Sequence, residues 1–164
     1  MYREYLDRNM RLAVIVNPDA GLGGRLGFKG SDGRAAEARA AGAQDRAGPR
    51  MRQCLEKLAE LAREPIEIIA WDGRMGGDWI PGEYTSTGVT PETTDASSTS
   101  DFIKAHSPDL FLYAGGDGTT RDIVEALGDR NIPLVGVPGG VKMHSGCFAT
   151  TPKAAAEVVW SFVT

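Results

Sequence analysis

The sequence contains little cysteine, and its two cysteines lie far apart. Cys54 and Cys147 form no C-x-x-C pair and stand at no histidine spacing that would suggest zinc. A disulfide-stapled secreted fold is therefore not supported, and a reducing cytoplasm is the compartment that we expect. Both cysteines are best interpreted as small core residues.

Long apolar runs and concentrated positive charge are missing as well. The longest apolar runs have five or six residues, and the first residues, "MYREYLDRNMR", contain no apolar signal region. Neither secretion nor a membrane span is therefore supported. Eighteen Lys and Arg stand against 22 Asp and Glu, a formal net charge of -4, and no segment combines basic residues with aromatics. This balance argues against DNA or RNA as a partner.

Glycine, in contrast, is abundant and clustered. The chain has 164 residues, 41% of them hydrophobic, which is enough for one core of ordinary size but short for two domains. Most of its 21 glycines fall into three groups: Gly21, Gly23, Gly24, Gly27, Gly30 and Gly33; then Gly115, Gly116 and Gly118; then Gly136, Gly139, Gly140 and Gly146.

The hydrophobic pattern predicts strands that alternate with helices. Buried strands are predicted at 11–18, 66–71, 109–114 and 132–138, and helices at 49–64, around 100–105, at 119–128 and after Thr151. Strands separated by such helices pair in parallel, because a parallel return needs a long crossover. We therefore expect an α/β fold, an open and mainly parallel sheet with helices on both faces.

Two stretches fit this pattern less clearly. Residues 34–48 are alanine-rich and predict a helix, although Gly42 and Gly48 weaken that interpretation. Residues 82–101 are rich in Ser and Thr and are typical of a surface loop, with a short edge strand at 84–87.

All three glycine groups follow a predicted strand, and ligands of open α/β sheets bind outside the carboxyl ends of the strands. The segment "GGDGTT" (115–120) passes from a strand into a helix, where glycines and free N–H groups favour a phosphate. Asp117 lies within it. From the residues alone, Asp117 can be a general base, a ligand of Mg²⁺ through water, or the N-cap of the helix.

The first and third loops offer further candidate ligands. In the first loop, Asn17, Arg25 and Lys29 can contact a phosphate or a ribose, although the loop has neither a Walker A nor a G-x-G-x-x-G spacing. In the third, Lys142 can bind phosphate as a point charge, whereas His144 is more often structural in such a position. The glycines counted as candidate nucleotide contacts in these two loops are Gly23, Gly24, Gly139 and Gly140.

Taken in order, these loops resemble the ATP-dependent NAD kinases, whose superfamily also holds diacylglycerol kinases, sphingosine kinases and 6-phosphofructokinases. The resemblance rests on Asn-Pro after the first strand (17–18), on "GGDGT" (115–119) and on "PLVGVPGGVKMHSG" (133–146). The long first loop and residues 136–155 look like the branch that includes the acetoin-catabolism protein X. The resemblance implies a Rossmann-like, three-layer N-terminal kinase domain.

The same resemblance implies a site and its ligands. It implies Mg²⁺-ATP as the phosphoryl donor and, in true NAD kinases, the 2′-hydroxyl of the adenosine ribose of NAD as the acceptor, which yields NADP. Asp117 would then deprotonate or orient that hydroxyl. The positions that carry over as nucleotide contacts are Gly115, Gly116, Gly118 and Thr119, with Asn17 beside them.

Two departures from the family pattern shape the remaining expectations. Family members continue into an all-β domain, whereas this sequence ends at Thr164 after one predicted helix, so we expect a single domain of 1–164 that is completed by a missing domain or by a homo-oligomer. An "NTG"-like loop of NAD kinases is replaced here by "VPGGVKMHSG". A kinase for another small molecule or a lipid, or a nucleotide-sensing module without catalysis, therefore remains an alternative.

Overall fold

The computed structural model describes residues 9–18, 47–138 and 151–163, and these form one sheet with helices on both sides. The described strands are β1 (Met10–Val16), β2 (Ile66–Asp72), β3 (Thr85–Val89), β4 (Leu110–Gly115) and β5 (Leu134–Pro138). The described helices are α1 (Ala47–Leu61), α2 (Ala96–Ala105), α3 (Asp117–Leu127) and α4 (Pro152–Val163), with a short 3-10 turn at Gly77–Trp79.

The five strands are all parallel and lie in the order β3-β2-β1-β4-β5. The chain leaves the central strand β1 toward β2 and β3, then returns to β1's other side for β4 and β5. The strand order therefore reverses between β1 and β4, which is where open α/β sheets leave a crevice for ligands. Within that pair, Val16 is aligned with Ala114.

The sheet is buried on both faces because successive side chains of a strand point to opposite sides. Leu12, Val14 and Val16 of β1 belong to one core cluster, which α1 and α4 cover. Ala13 and Ile15 of the same strand belong to the second cluster, which α2 and α3 cover. This three-layer arrangement confirms the predicted α/β fold with helices on both faces.

The β2 prediction needs a correction, because this strand is only half-buried over much of its length. The edge strand β3 pairs with β2 only from Ile69 onward, so residues 66–68 have β1 as their described strand partner. Residues 82–101 are correspondingly more structured than predicted. They hold β3 over Thr85–Val89, close to the predicted edge strand, and the first turns of α2, which begins at Ala96.

The ends of the helices carry the capping groups that the sequence provides. Asp95 accepts hydrogen bonds from Ser97 and Ser98 in a capping box at the start of α2. Gly128 ends α3 with a φ of 58°, a backbone region that favours glycine. At the start of α4, the Thr151 hydroxyl accepts from the Ala154 amide at 3.0 Å, as the side chain of an N-cap residue does.

One expectation from composition is also met where the structure describes it. Cys54 is fully buried in the core, and burial raises the pKa of its thiol to about 12, so that it remains protonated and unreactive near neutral pH. Cys147 lies outside the described residues, as does the alanine-rich stretch 34–46. None of the helices over 47–138 and 151–163 is long and apolar enough to cross a bilayer.

Candidate functional site

The two strands at the reversal point present their carboxyl ends side by side. Beyond the last aligned pair of β1 and β4, the Asn17 amide donates to the Ala114 carbonyl at 2.9 Å. This bond continues the ladder by one step and fixes the direction in which the chain leaves β1. The first predicted loop therefore starts against the "GGDGTT" turn.

A side-chain bond joins these two segments directly. The Asn17 Nδ2 donates to the Thr119 Oγ1 at 2.9 Å, although the two residues are 102 positions apart in the chain. Thr119 is buried, with 4% of its surface exposed. The structure thus brings together two of the candidate nucleotide contacts that the sequence suggests, from two different loops.

The turn itself enters α3 through a glycine cap. Gly116 occupies the N-cap position with extended backbone angles, and the Thr120 amide donates to its carbonyl at 3.1 Å. The N-cap interpretation of Asp117 is therefore wrong, because Asp117 is the first residue inside the helix. The carboxylate remains well placed electrostatically, since acidic groups in the first helical turn interact favourably with the helix dipole.

Thr120 holds the same turn in place through its hydroxyl group, a role that was not predicted from the sequence. Its hydroxyl lies 2.7 Å from the Tyr113 hydroxyl, in a buried pair, and donates to the Gly116 carbonyl at 3.3 Å. Thr120 and Thr119 therefore face different partners, one under the turn and one toward β1. In the sequence, the two adjacent threonines of "GGDGTT" are the feature that could have indicated these two separate roles.

The glycines of the turn are required for different reasons. At Gly115, an added β-carbon would lie 2.6 Å from the Thr119 β-carbon, so this glycine lets the Thr119 side chain pack against the strand end. At Gly118, an added β-carbon would meet no described heavy atom within 4 Å, and the backbone φ is not positive. Packing within the described chain therefore explains Gly115 but does not explain Gly118.

On the other side of β1, the loop after β2 pins the strand end. The Val16 amide donates to the Met75 carbonyl at 2.8 Å, and Met75 is fully buried. The Thr90 hydroxyl accepts from the Met75 amide at 3.1 Å and donates to the Asp72 carbonyl at 2.7 Å. Asn17 is thus attached to a strand end that is held from both neighbouring strands.

Trp71, Asp72 and Trp79, near the same edge, are engaged in packing and local bonds. The Trp79 ring packs against the core cluster under α1, and its Nε1 donates to the Arg74 carbonyl at 2.7 Å. Trp71 packs edge-on against Phe102, with 5.2 Å between ring centroids. The Tyr84 hydroxyl donates to Asp72 at 2.5 Å, and this bond to a carboxylate raises the pKa of Tyr84. Packing and local hydrogen bonds therefore account for this segment.

The described residues contain no group of three or more His, Cys, Asp or Glu side chains that could hold a metal ion. His106 ends α2, where its ring contacts the Phe102 carbonyl and the Thr87 hydroxyl. Asp117 is the carboxylate at the head of α3.

The remaining candidates fall outside the described residues: Gly23, Gly24, Arg25, Lys29, Gly139, Gly140, Lys142 and His144. Their roles stay predictions. The third glycine loop follows Pro138 in sequence, and Pro138 is aligned with Gly115 on the neighbouring strand.

Comparison with known proteins places this site in context. The family described as ATP-NAD kinase N-terminal domain matches residues 12–164. A NAD kinase from Cytophaga hutchinsonii is 48% identical over 50 residues, which are 30% of this chain and 16% of that protein.

Two solved structures align with the chain at low identity. A diacylglycerol kinase from Bacillus anthracis str. Sterne aligns with a TM-score of 0.40 and 17% identity, over 80% of this chain and 33% of that one. A UDP-N-acetylglucosamine 2-epimerase aligns with a TM-score of 0.43 and 12% identity, over 96% and 40%. The matches to the NAD kinase and to these two structures each span less than half of the other protein's length.

Proposed function

The chain belongs to the ATP-NAD kinase N-terminal domain family, and we propose that it provides the nucleotide-binding part of a kinase that phosphorylates a hydroxyl group with ATP. The proposed acceptor is the 2′-hydroxyl of the adenosine ribose of NAD. The observation that carries the proposal is the family match over residues 12–164, since it includes both segments that meet at the reversal point of the sheet.

The turn between β4 and α3 is the proposed phosphate site. The backbone N–H groups of residues 117–119 precede the first helical bond of α3, which Thr120 donates to Gly116. Such groups, together with the positive end of the helix dipole, attract anions. Gly118 supports this role, because an added β-carbon there meets no described heavy atom within 4 Å and a glycine brings no side chain to hinder the approach of a phosphate to these amides.

The metal that the family implies is compatible with this donor set. Mg²⁺ bound with a nucleotide takes one or two carboxylates and completes its shell with phosphate oxygens and waters, so a dedicated cluster is not needed. Asp117 is the described carboxylate at the turn that would hold it, through a water molecule, so that its oxygen could still accept a proton. When bound, Mg²⁺ would neutralise charge on the phosphates of ATP.

Asp117 is the proposed catalytic residue. In the proposed reaction the acceptor oxygen forms a bond to the γ-phosphorus of ATP while the bond from that phosphorus to the bridging oxygen breaks, and ADP leaves. The proton of the acceptor hydroxyl goes to the Asp117 carboxylate, which acts as a general base. Asp117 is partly exposed at the head of α3, as contact with a substrate requires.

Asp117→Asn tests the catalytic assignment, because it keeps the shape of the side chain and removes its basicity. With labelled ATP and NAD we expect phosphoryl transfer to fall by about 10² to 10⁴-fold. Loss of the charge at the helix start should lower the free energy of unfolding by less than about 1 kcal/mol. The measurements are label in NADP and chemical denaturation.

Glu125→Gln is the matched control, since it removes the same charge from an exposed position on the same helix. It should retain wild-type transfer. Unchanged transfer in Asp117→Asn, with the same assay sensitivity, would remove Asp117 from the mechanism.

A second function, nucleotide binding without transfer, is favoured by one observation. Asp117 stands where an acidic residue stabilises a helix without any chemistry. The two functions separate in one assay. A chain that binds ATP yet transfers no label to NAD, to other small-molecule hydroxyls or to diacylglycerol would be a binding module.

A further inference from the structure

Asn17 is held in the fold by hydrogen bonds from both its backbone and its side chain. Its backbone N–H donates to the Ala114 carbonyl, and its side-chain Nδ2 donates to the Thr119 hydroxyl. The residue before it, Val16, is held by the Met75 carbonyl. These bonds place the Asn17 side chain against the turn between β4 and α3.

Thr119 is the other half of this contact, and its surroundings leave it little freedom. Its side chain packs against Gly115, where even one added carbon would overlap it, and only 4% of its surface is exposed. An amide N–H can only donate, so the Asn17 bond uses the Thr119 oxygen as acceptor and turns the hydroxyl proton away from Asn17. The bond thereby sets both the place of the Thr119 side chain and the direction of its hydroxyl.

We propose that Asn17 is a positioning residue that acts through Thr119, and that it holds the Gly115–Gly118 turn in the geometry that binds a nucleotide phosphate. The assignment rests on the proposed function. It reassigns Asn17 from a ligand contact to a support of the turn. The physical reason is that a contact made across the reversal point fixes the turn relative to β1, which the local bonds of Thr120 within β4 and α3 cannot do.

A double-mutant cycle on ATP affinity tests this assignment. Asn17→Ala removes the donor, and Thr119→Val removes the acceptor while keeping the side-chain shape. If Asn17 acts through Thr119, each single variant weakens ATP binding by about tenfold and the double variant by about the same factor, rather than by the product. Thr119→Ser, which keeps the oxygen, should restore most of the affinity. Calorimetric titration of ATP measures all four variants and the wild type.

A variant that destabilises the fold far from the turn distinguishes the positioning role of Asn17 from a purely structural role. Arg130 donates to the Ile103 and His106 carbonyls at the opposite end of the sheet, so Arg130→Met should lower the melting temperature and leave ATP affinity unchanged. If affinity instead follows melting temperature across all variants, the positioning role is wrong.

The remaining outcomes are also decisive. Penalties that multiply in the double variant would show that Asn17 contacts the ligand independently, and would overturn the assignment while leaving the proposed function intact. A wild-type chain that binds no ATP would overturn the proposed function and this assignment together.

Discussion

At the scale of single residues, the two glycines on either side of Gly116 and Asp117 should respond oppositely to the same substitution. Gly115→Ala forces a carbon against the Thr119 side chain, and we expect it to lower the free energy of unfolding by about 1 to 3 kcal/mol. Gly118→Ala adds a carbon that meets no described heavy atom within 4 Å, and we expect the folded state to gain about 0.5 to 1 kcal/mol from better helix propensity. Yet Gly118→Ala should weaken ATP binding, because its methyl group would obstruct the phosphate. Urea denaturation and ATP titration of the two variants measure both quantities, and a Gly118→Ala chain with normal affinity would argue that no phosphate approaches this amide.

At the scale of elements, the capping box of α2 makes the helix dependent on the charge of one carboxylate. The Ser97 side chain and backbone, with help from the Ser98 amide, lower the pKa of Asp95 below its ordinary value. A group whose folded-state pKa is lowered stabilises the protein above its unfolded pKa, and that contribution is lost as pH falls through the folded value. Asp95→Ala should therefore cost about 1 kcal/mol at neutral pH and progressively less below about pH 4. Denaturation of both proteins from pH 7 to pH 3 measures the difference, and a constant difference would show that the carboxylate charge is not what caps α2. This cap was hidden in sequence because Asp95 lies among Ser and Thr residues that are equally typical of a loop, whereas β1 and β4 were readable as continuous apolar runs.

At the scale of the whole molecule, a ligand that binds only the folded chain must raise its stability. ATP at about 100 times its dissociation constant adds about 2.7 kcal/mol, which for a domain of this size raises the melting temperature by roughly 5 to 10 °C. Adenosine, which has no phosphates, should raise it far less if the turn between β4 and α3 supplies most of the binding. Equal shifts with ATP and adenosine would place the binding energy elsewhere.

The order of strands in the whole sheet also explains which contacts could not be predicted from the sequence. Four of the strands, their parallel pairing and the placing of "GGDGTT" at a strand end follow from local pattern. The contact between Asn17 and Thr119 depends on β4 pairing with β1 rather than with β3, a choice that no local pattern encodes. The partial exposure of residues 66–68 in β2 was missed for a similar reason, since it depends on how short the neighbouring strand β3 is.

The central strand of this sheet is also the first of its described strands, and this has a consequence for biosynthesis. The bond between Asn17 and Thr119 can form only after the ribosome has added the 102 residues that lead from one to the other. At ribosomal rates of about 5 to 20 residues per second, that interval is roughly 5 to 20 seconds. During that time β1 can pair with β2 but exposes its other edge, an apolar strand open to neighbouring nascent chains. The architecture that joins the two halves of the candidate site thus delays the burial of this strand edge until β4 has been synthesised.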